Sequence, residues 1–236
     1  MLEELKAQVY RANMSLKENN LIILTWGNVS GIDASRKYMA IKPSGVDYPE
    51  LSPEKMVIVD MEGNVVEGKL KPSSDTPTHL ELYKAFPDIG GVCHTHSLYA
   101  TSYAQQSRDI RAFGTTHADY FDGTIPCTRE MRKNEIELDY EKNTGLVIVE
   151  KLNELRLTSK QMPAILVSSH GPFTWGKDAA AAAEMSLVLE NVAHLAFNTQ
   201  LLHSVYIGSS AAAMPDELLR KHFDRKHGAN AYYGQK

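Results

Sequence analysis

Gly90-Gly91-Val92-Cys93-His94-Thr95-His96-Ser97 closes a short apolar run with two imidazoles two residues apart. A strand repeats every two residues, so His94 and His96 face the same side. Two histidines on one strand face are half of a metal site. Taken alone, the pair is equally well two unrelated polar residues at a strand end. The thiol of Cys93 points the opposite way and is not counted with them.

Two further stretches bear on the pair. Lys71-Pro72-Ser73-Ser74-Asp75-Thr76-Pro77-Thr78-His79 marks a helix start, with Asp75 or Thr76 near the cap and Pro77 in the first turn. The helix runs through Leu80, Leu82, Tyr83 and Phe86 to Pro87. Its N-terminus attracts anions. Asp75 either caps this helix and no more, or reaches a metal or substrate. Downstream, Ala164-Ile165-Leu166-Val167 is a buried strand ending at Ser168-Ser169-His170-Gly171-Pro172, where glycine and proline turn the chain. A lone histidine there is ordinarily structural. Three imidazoles at three strand ends are a different matter, because such ends cluster at one sheet edge where ligands bind. Three neutral nitrogens suit Zn²⁺ and leave a position for water or substrate. An oxygen from Asp75 could complete a four-coordinate site.

The remaining chain supplies an α/β framework. Leu2, Leu5, Val9, Ala12 and Leu16 predict an amphipathic helix over 2–18. Leu21-Ile22-Ile23-Leu24 predicts a short buried strand. Thr25-Trp26-Gly27-Asn28-Val29-Ser30-Gly31 then suits a turn exposing backbone N–H groups, or an ordinary hairpin bend. Met39-Ala40-Ile41 is a strand. Lys42-Pro43-Ser44-Gly45-Val46 follows as a tight turn whose lysine, hydroxyl and amides can hold a phosphate, although it is not the P-loop pattern. Val57–Val59 and Val65–Val66 flank Glu62-Gly63-Asn64 as a hairpin. A short helix is expected at 98–106, a strand and turn at 123–127, a charged segment at 133–143 and a helix at 144–156. Phe173-Thr174-Trp175-Gly176 leads into an alanine-rich helix capped by Asp178, from 179 to about 202. A loop at 203–213 and a last helix from Asp216 to Lys226 complete the chain. Without repeats or a dividing linker, 1–236 is expected to be a single α/β domain.

Composition sets the outer bounds. The 236 residues are 43% hydrophobic, enough for a substantial core. A net charge of −4 argues against a nucleic-acid partner. Only two cysteines are present, Cys93 and Cys127, which suggests no disulfide framework and fits a reducing cytoplasm. The N-terminus carries acids early and does not look like a signal peptide. No apolar run approaches the roughly 20 residues of a membrane span. A cytoplasmic protein without membrane contact is expected.

His94-Thr95-His96, Ser169-His170-Gly171, Lys42-Pro43-Ser44-Gly45 and Ser73-Ser74-Asp75 together resemble the class II sugar-phosphate aldolase and epimerase family, and most of all its L-ribulose-5-phosphate 4-epimerases. The resemblance extends from about residue 2 to residue 235. Its more specific parts are Thr25–Ser30, Gly114-Thr115-Thr116-His117-Ala118-Asp119-Tyr120-Phe121, Lys226-His227-Gly228 and Ala231-Tyr232-Tyr233-Gly234-Gln235; nothing carries over from about 200 to 213. It implies a three-layer α/β/α fold with a central β-sheet. It further implies interconversion of L-ribulose 5-phosphate and D-xylulose 5-phosphate, by retro-aldol cleavage and re-addition through a metal-bound enediolate. The implied cofactor is Zn²⁺, one per subunit, with Mn²⁺ or Co²⁺ also acceptable to the donors. The implied ligands are Asp75, His94, His96 and His170. Gly27, Asn28, Ser44, Gly45, Ser73 and Ser74 are the implied phosphate and substrate contacts. Asp119 and Tyr233 are the implied proton shuttles on the two faces of the aldehyde, and His222, Thr115 and Glu141 match supporting positions. The family is a homotetramer with sites between subunits, so Tyr233 is expected to cross to a neighbour.

Three other readings stand beside this one. A true aldolase acting on a sugar such as L-fuculose 1-phosphate would use the same enediolate chemistry; related aldolases carry a glutamate where Asp75 stands. A zinc hydrolase would leave the phosphate-holding turns unexplained. A non-catalytic scaffold would have no use for the His/His/His/Asp set.

Overall fold

The computed structural model describes residues 2–234. Gln235, the last residue of the C-terminal pattern, lies outside them. The helices are α1 (Leu2–Glu18), α2 (Thr76–Ala85), α3 (Leu98–Gln105), α4 (Thr115–Ala118), α5 (Lys133–Glu137), α6 (Tyr140–Leu155), α7 (Ala179–Ile207) and α8 (Asp216–His227). The strands are β1 (Asn28–Ile32), β2 (Tyr38–Ile41), β3 (Val57–Asp60), β4 (Val65–Glu67), β5 (Gly91–His94), β6 (Ala164–Val167) and β7 (Gly171–Gly176). They form one seven-stranded sheet in the order β4-β3-β2-β1-β5-β7-β6. Every pairing is antiparallel. Helices cover both faces, so the expected α/β/α layering is present.

Strand β5 is the centre of this arrangement, and its composition says why. All four residues are buried, as a strand covered on both faces requires. Val92 joins the larger apolar cluster with Phe173, Trp175 and Leu82, whereas Cys93 faces the second cluster with Val9, Leu16 and Ala182. The N-terminus of α7 crosses β5 closely. A Cβ on Gly91 would sit 2.2 Å from the Asp178 carbonyl oxygen, so only glycine admits this approach. Asp178 caps α7 as expected, accepting from the Ala181 amide at 2.8 Å.

Several local expectations need correction. Leu21–Leu24 is not a strand: Leu24 has φ 54°, and Ile23 and Leu24 are 59% and 71% exposed. The positions beside β1 are already filled by β2 and β5, so this run has no ladder to join. Instead β1 begins at Asn28. Phe173-Thr174-Trp175 is strand rather than lead-in, with both aromatics in the larger core cluster. Segment 123–127 forms only isolated bridges, Ile110 with Ile125 and Cys127 with Leu166. Helix α6 starts at Tyr140, not 144. Helix α7 continues to Ile207 because the first residue able to end it is Gly208, with φ 73°.

Two imidazoles are walled into this framework. Burial pushes His79 down to about 3 and His117 down to about 4. Both values lie below the ordinary 6.5. The unfolded chain therefore takes up protons first as pH falls, and stability declines below about pH 6.5, by at most ~1.4 kcal/mol per pH unit for each histidine. The depressed carboxyls of Asp33 and Asp119 add their loss only at lower pH, below the carboxylate reference of 3.8. The urea midpoint is thus expected to be lower at pH 5 than at pH 7, and His117→Gln should narrow the difference. Equal midpoints would count against neutral burial.

Candidate metal centre and active-site cleft

The register of the central strands assembles the site. Asn28 of β1 pairs with His94 of β5, which pairs with Phe173 of β7. The His94 ring stacks on Phe173 at 4.3 Å between centroids. His96 lies just beyond β5, and His170 sits in the turn joining β6 to β7, next to Ser169 at φ 59°. Gly27 precedes β1 with φ 89°, and a Cβ there would lie 2.8 Å from the His94 carbonyl oxygen. Glycine is needed at that position on both counts.

The three imidazoles converge. Each offers a nitrogen, and these nitrogens lie within 4.8 Å of one another. His94 Nδ1 is 2.9 Å from the Pro172 carbonyl oxygen. A carbonyl can only accept, so Nδ1 carries a proton, and in the neutral ring Nε2 is then the nitrogen with a lone pair. That Nε2 is 3.0 Å from His96 Nε2. The Nδ1 of His170 is buried without a protein partner. Burial, reinforced by the neighbouring imidazoles, pushes His96 down to about 4 and His170 to about 3. Neutral imidazoles with converging lone pairs are the form that binds a divalent cation. His94, His96 and His170 fit such a cation.

Asp75 lines the same cleft but is outside the three-nitrogen set. It does not cap α2 through its side chain. Its Oδ2 instead accepts from Asn28 Nδ2 at 2.7 Å. Burial works to raise its pKa, but the neighbouring imidazoles and the Asn28 bond leave it below the ordinary value, as a carboxylate. Asn28 Nδ2 also reaches Ser73 Oγ at 3.1 Å, and Asn28 Oδ1 is a buried acceptor without a protein partner.

Gly27, Ser44, Gly45, Ser73 and Ser74 all line this cleft of about 380 Å³. The two polar loops are tied side by side, with the Ser44 amide donating to Lys71 O at 2.9 Å and the Ser73 amide to Lys42 O at 3.0 Å. Those two amides are therefore spent, so any amide donor to a phosphate must come from elsewhere in the turn. The Ser44 hydroxyl remains, and the Ser73 hydroxyl, which accepts from Asn28 Nδ2 and from the Asp75 amide, keeps its own proton to donate. Lys42 provides the cleft with a cation; its Nζ lies 5.0 Å from the Tyr48 ring centroid. Burial lowers its pKa, partly offset by Asp47 and Asp75.

Sequence reasoning missed Tyr140, which lines the cleft with its ring 6.2 Å from that of His170. The expected helix start at 144 had put it in a charged segment. The one sequence signal was Asp139, a residue type common just before a helix, although its side chain makes no cap bond here. Glu141 also lines the cleft. Asp119, Tyr233, His222 and Thr115 do not. Asp119 ends α4 and is bonded to His222 and Arg225 of α8, while the Tyr233 ring, 58% exposed, lies over Arg225 and Lys226.

Residues 7–197 match the family described as Class II Aldolase and Adducin N-terminal domain. The L-ribulose-5-phosphate 4-epimerase UlaF of Salmonella paratyphi B is 51% identical over 237 residues, covering 100% of both chains. The same-named protein of Salmonella paratyphi A is 51% identical over 235 residues, again covering 100% of both. Among solved structures, an L-fuculose 1-phosphate aldolase superposes with TM-score 0.76 and 26% identity, over 94% of this chain and 95% of that one. The L-fuculose-1-phosphate aldolase of Thermus thermophilus shares the fold at TM-score 0.66 and 22% identity, over 88% of this chain and 98% of that one. Among the described residues, no helix is long and apolar enough to cross a membrane.

Proposed function

The chain belongs to the class II aldolase and adducin family, and from that premise we propose that it is an isomerase, interconverting L-ribulose 5-phosphate and D-xylulose 5-phosphate by epimerisation at C4. The observation that carries this reading is the extent of the likeness to the epimerase. It is 51% identity over 100% of the chain, beyond residue 197 where the family match ends and through the segment that holds His222 and Tyr233.

His94, His96 and His170 hold a divalent cation, with Asp75 beside them as the carboxylate of the site. Zn²⁺ is the cation assigned, and Mn²⁺ or Co²⁺ suit the same donors. When bound, it supplies Lewis-acid stabilisation of negative charge on a substrate oxygen. The chain's own groups do the rest. Lys42 and the hydroxyls of Ser44, Ser73 and Ser74 hold the phosphate, with Gly27 and Gly45 letting backbone approach. Asn28 orients Asp75 and offers Oδ1 to a substrate hydroxyl. Inversion at C4 breaks and reforms the C3–C4 bond. The anchored phosphate keeps the two-carbon aldehyde fragment in place while it turns its other face, so the fragments need not diffuse apart.

Asp119 and Tyr233 serve as the proton shuttles on the two faces. Neither lines the cleft of its own chain, so a neighbouring copy supplies them, in a homotetramer whose sites lie between subunits. The whole chain acts as a single domain. A doubly charged phosphate ester does not cross a bilayer unaided, so enzyme and substrate share one compartment, which we take to be the cytoplasm.

The test is a coupled assay for D-xylulose 5-phosphate from L-ribulose 5-phosphate, with chelator and with zinc add-back. Metal-dependent conversion is expected. Absence of conversion, with release of a triose product from a 1-phosphorylated ketose, would move the protein to the aldolases.

A further inference from the structure

We propose that Arg225 is a positioning residue for this reaction, holding Asp119 and Tyr233 in one fixed arrangement so that they reach the site as a pair. The inference rests on the reading of those two residues as the proton shuttles.

Arg225 grips both partners at once. Its Nε donates to Asp119 Oδ1 at 3.0 Å and its Nη2 to Oδ2 at 2.7 Å, a two-pronged fork on one carboxylate. Its guanidinium carbon lies 4.6 Å from the Tyr233 ring centroid. Its backbone carbonyl accepts from the amides of Tyr232 at 2.9 Å and Tyr233 at 3.1 Å. One residue therefore fixes Asp119 by its side chain, and Tyr233 by its side chain and main chain. No regular element would otherwise set their spacing. Helix α4 has only four residues, and no helix or strand follows Gly228 within the described residues. Beneath the cluster, Ala112, Ala118, Met214 and Leu219 form a small apolar contact of their own between these parts.

His222 Nδ1 is 3.0 Å from Asp119 Oδ1, and His227 Nε2 is 2.9 Å from the Asp119 carbonyl oxygen. Lys226 Nζ lies 4.1 Å from the Tyr120 ring centroid and 4.7 Å from that of Tyr233. Burial works to raise the Asp119 carboxyl. The bonds from Arg225 and then His222 overcome it and hold the group below its usual range, as a carboxylate. A lysine at 225 would keep the charge but lose the planar fork and the stacking face.

The test measures kcat, KM and the pH dependence of kcat for Arg225→Gln, Arg225→Lys, Asp119→Asn and the double variant Asp119→Asn/Arg225→Gln. Arg225→Gln is expected to lose about 10²-fold in kcat, the scale of a misplaced catalytic group, with KM little changed. The acid limb of its profile should move to higher pH, because Asp119 loses the bonds that keep it ionised. Arg225→Lys should fall between this variant and the parent. The double variant should be slower than Asp119→Asn alone, by what the misplaced Tyr233 costs, but faster than the product of the two single losses. An unchanged kcat with an unmoved acid limb, or a double variant slower by the product of both losses, would overturn the proposal. If Arg225→Gln does not fold, the acid limb of Arg225→Lys decides in the same sense. Full turnover by Asp119→Asn would remove the underlying reading and the proposal with it. A slow Asp119→Asn beside an unimpaired Arg225→Gln removes the proposal alone.

Discussion

His96→Asn is expected to purify as a folded protein that has lost its divalent metal and about 10³-fold or more of its turnover. Lewis-acid stabilisation at such a site amounts to several kcal/mol, and each ~1.4 kcal/mol is a factor of ten in rate. His96 is the cleanest of the three positions to remove. It lies beyond the end of β5, half-buried, whereas His94 also stacks on Phe173 and bonds the Pro172 carbonyl. Unfolding is therefore not the expected cause of its loss. Metal content by atomic absorption and turnover should fall together, and added zinc should rescue chelator-stripped parent but not the variant. His203→Asn, a surface histidine bonded to Ser209, should retain both. Normal metal content with normal turnover would remove His96 from the centre.

Tyr233→Phe is expected to lower turnover by about 10²-fold at unchanged metal content, the usual scale for losing one acid–base group. The same arrangement predicts which variants complement each other. Asp119 and Tyr233 are both tied to Arg225 of one chain, and the three histidines belong to a cleft that neither residue lines. Mixing His96→Asn with Tyr233→Phe subunits should restore activity, since some cleft-intact subunits then receive an intact pair. Random pairing makes that on the order of a quarter of the sites. Mixing Asp119→Asn with Tyr233→Phe should restore none, because every delivered pair is damaged. Recovery in the second mixture would show that the two residues come from different chains. Near-normal turnover of Tyr233→Phe on its own would take the tyrosine out of the mechanism.

Much of the candidate site was legible before any coordinates, for a local reason. His94 and His96 share a face through strand periodicity, and His170 closes the short turn before Gly171 and Pro172, which themselves begin β7. Asp75 shows where such reasoning stops. Its position before Thr76 and Pro77 marks it as a cap, yet its side chain turns away from the helix to Asn28, 47 residues earlier in the chain. The phosphate turn shows the same limit. Lys42 to Gly45 has the right residue types, but the Ser44 amide is used by Lys71 from the neighbouring loop. Tyr140 left almost no local trace, since it enters the cleft only because α6 begins four residues before its apolar pattern does.

Local sequence sets the two-sided apolar strand at Val92 and Cys93, the Asp178 cap of α7, the three imidazoles at or just beyond strand ends and the polar loops near them. These follow from periodicity and from what glycine, proline and short polar side chains do within a few residues. Tertiary structure alone decided that Leu21–Leu24 stays outside the sheet, that Phe173–Trp175 enters it, and that α7 runs on to Gly208. Strand pairing is settled by competition among distant segments for the same ladder positions, which no local pattern records. Tertiary structure also decided that Asp119 and Tyr233, 114 positions apart in the sequence, meet on Arg225 and not at the histidines. Their contact exists only because α8 packs on α4, and that packing is set by buried side chains drawn from separate parts of the chain.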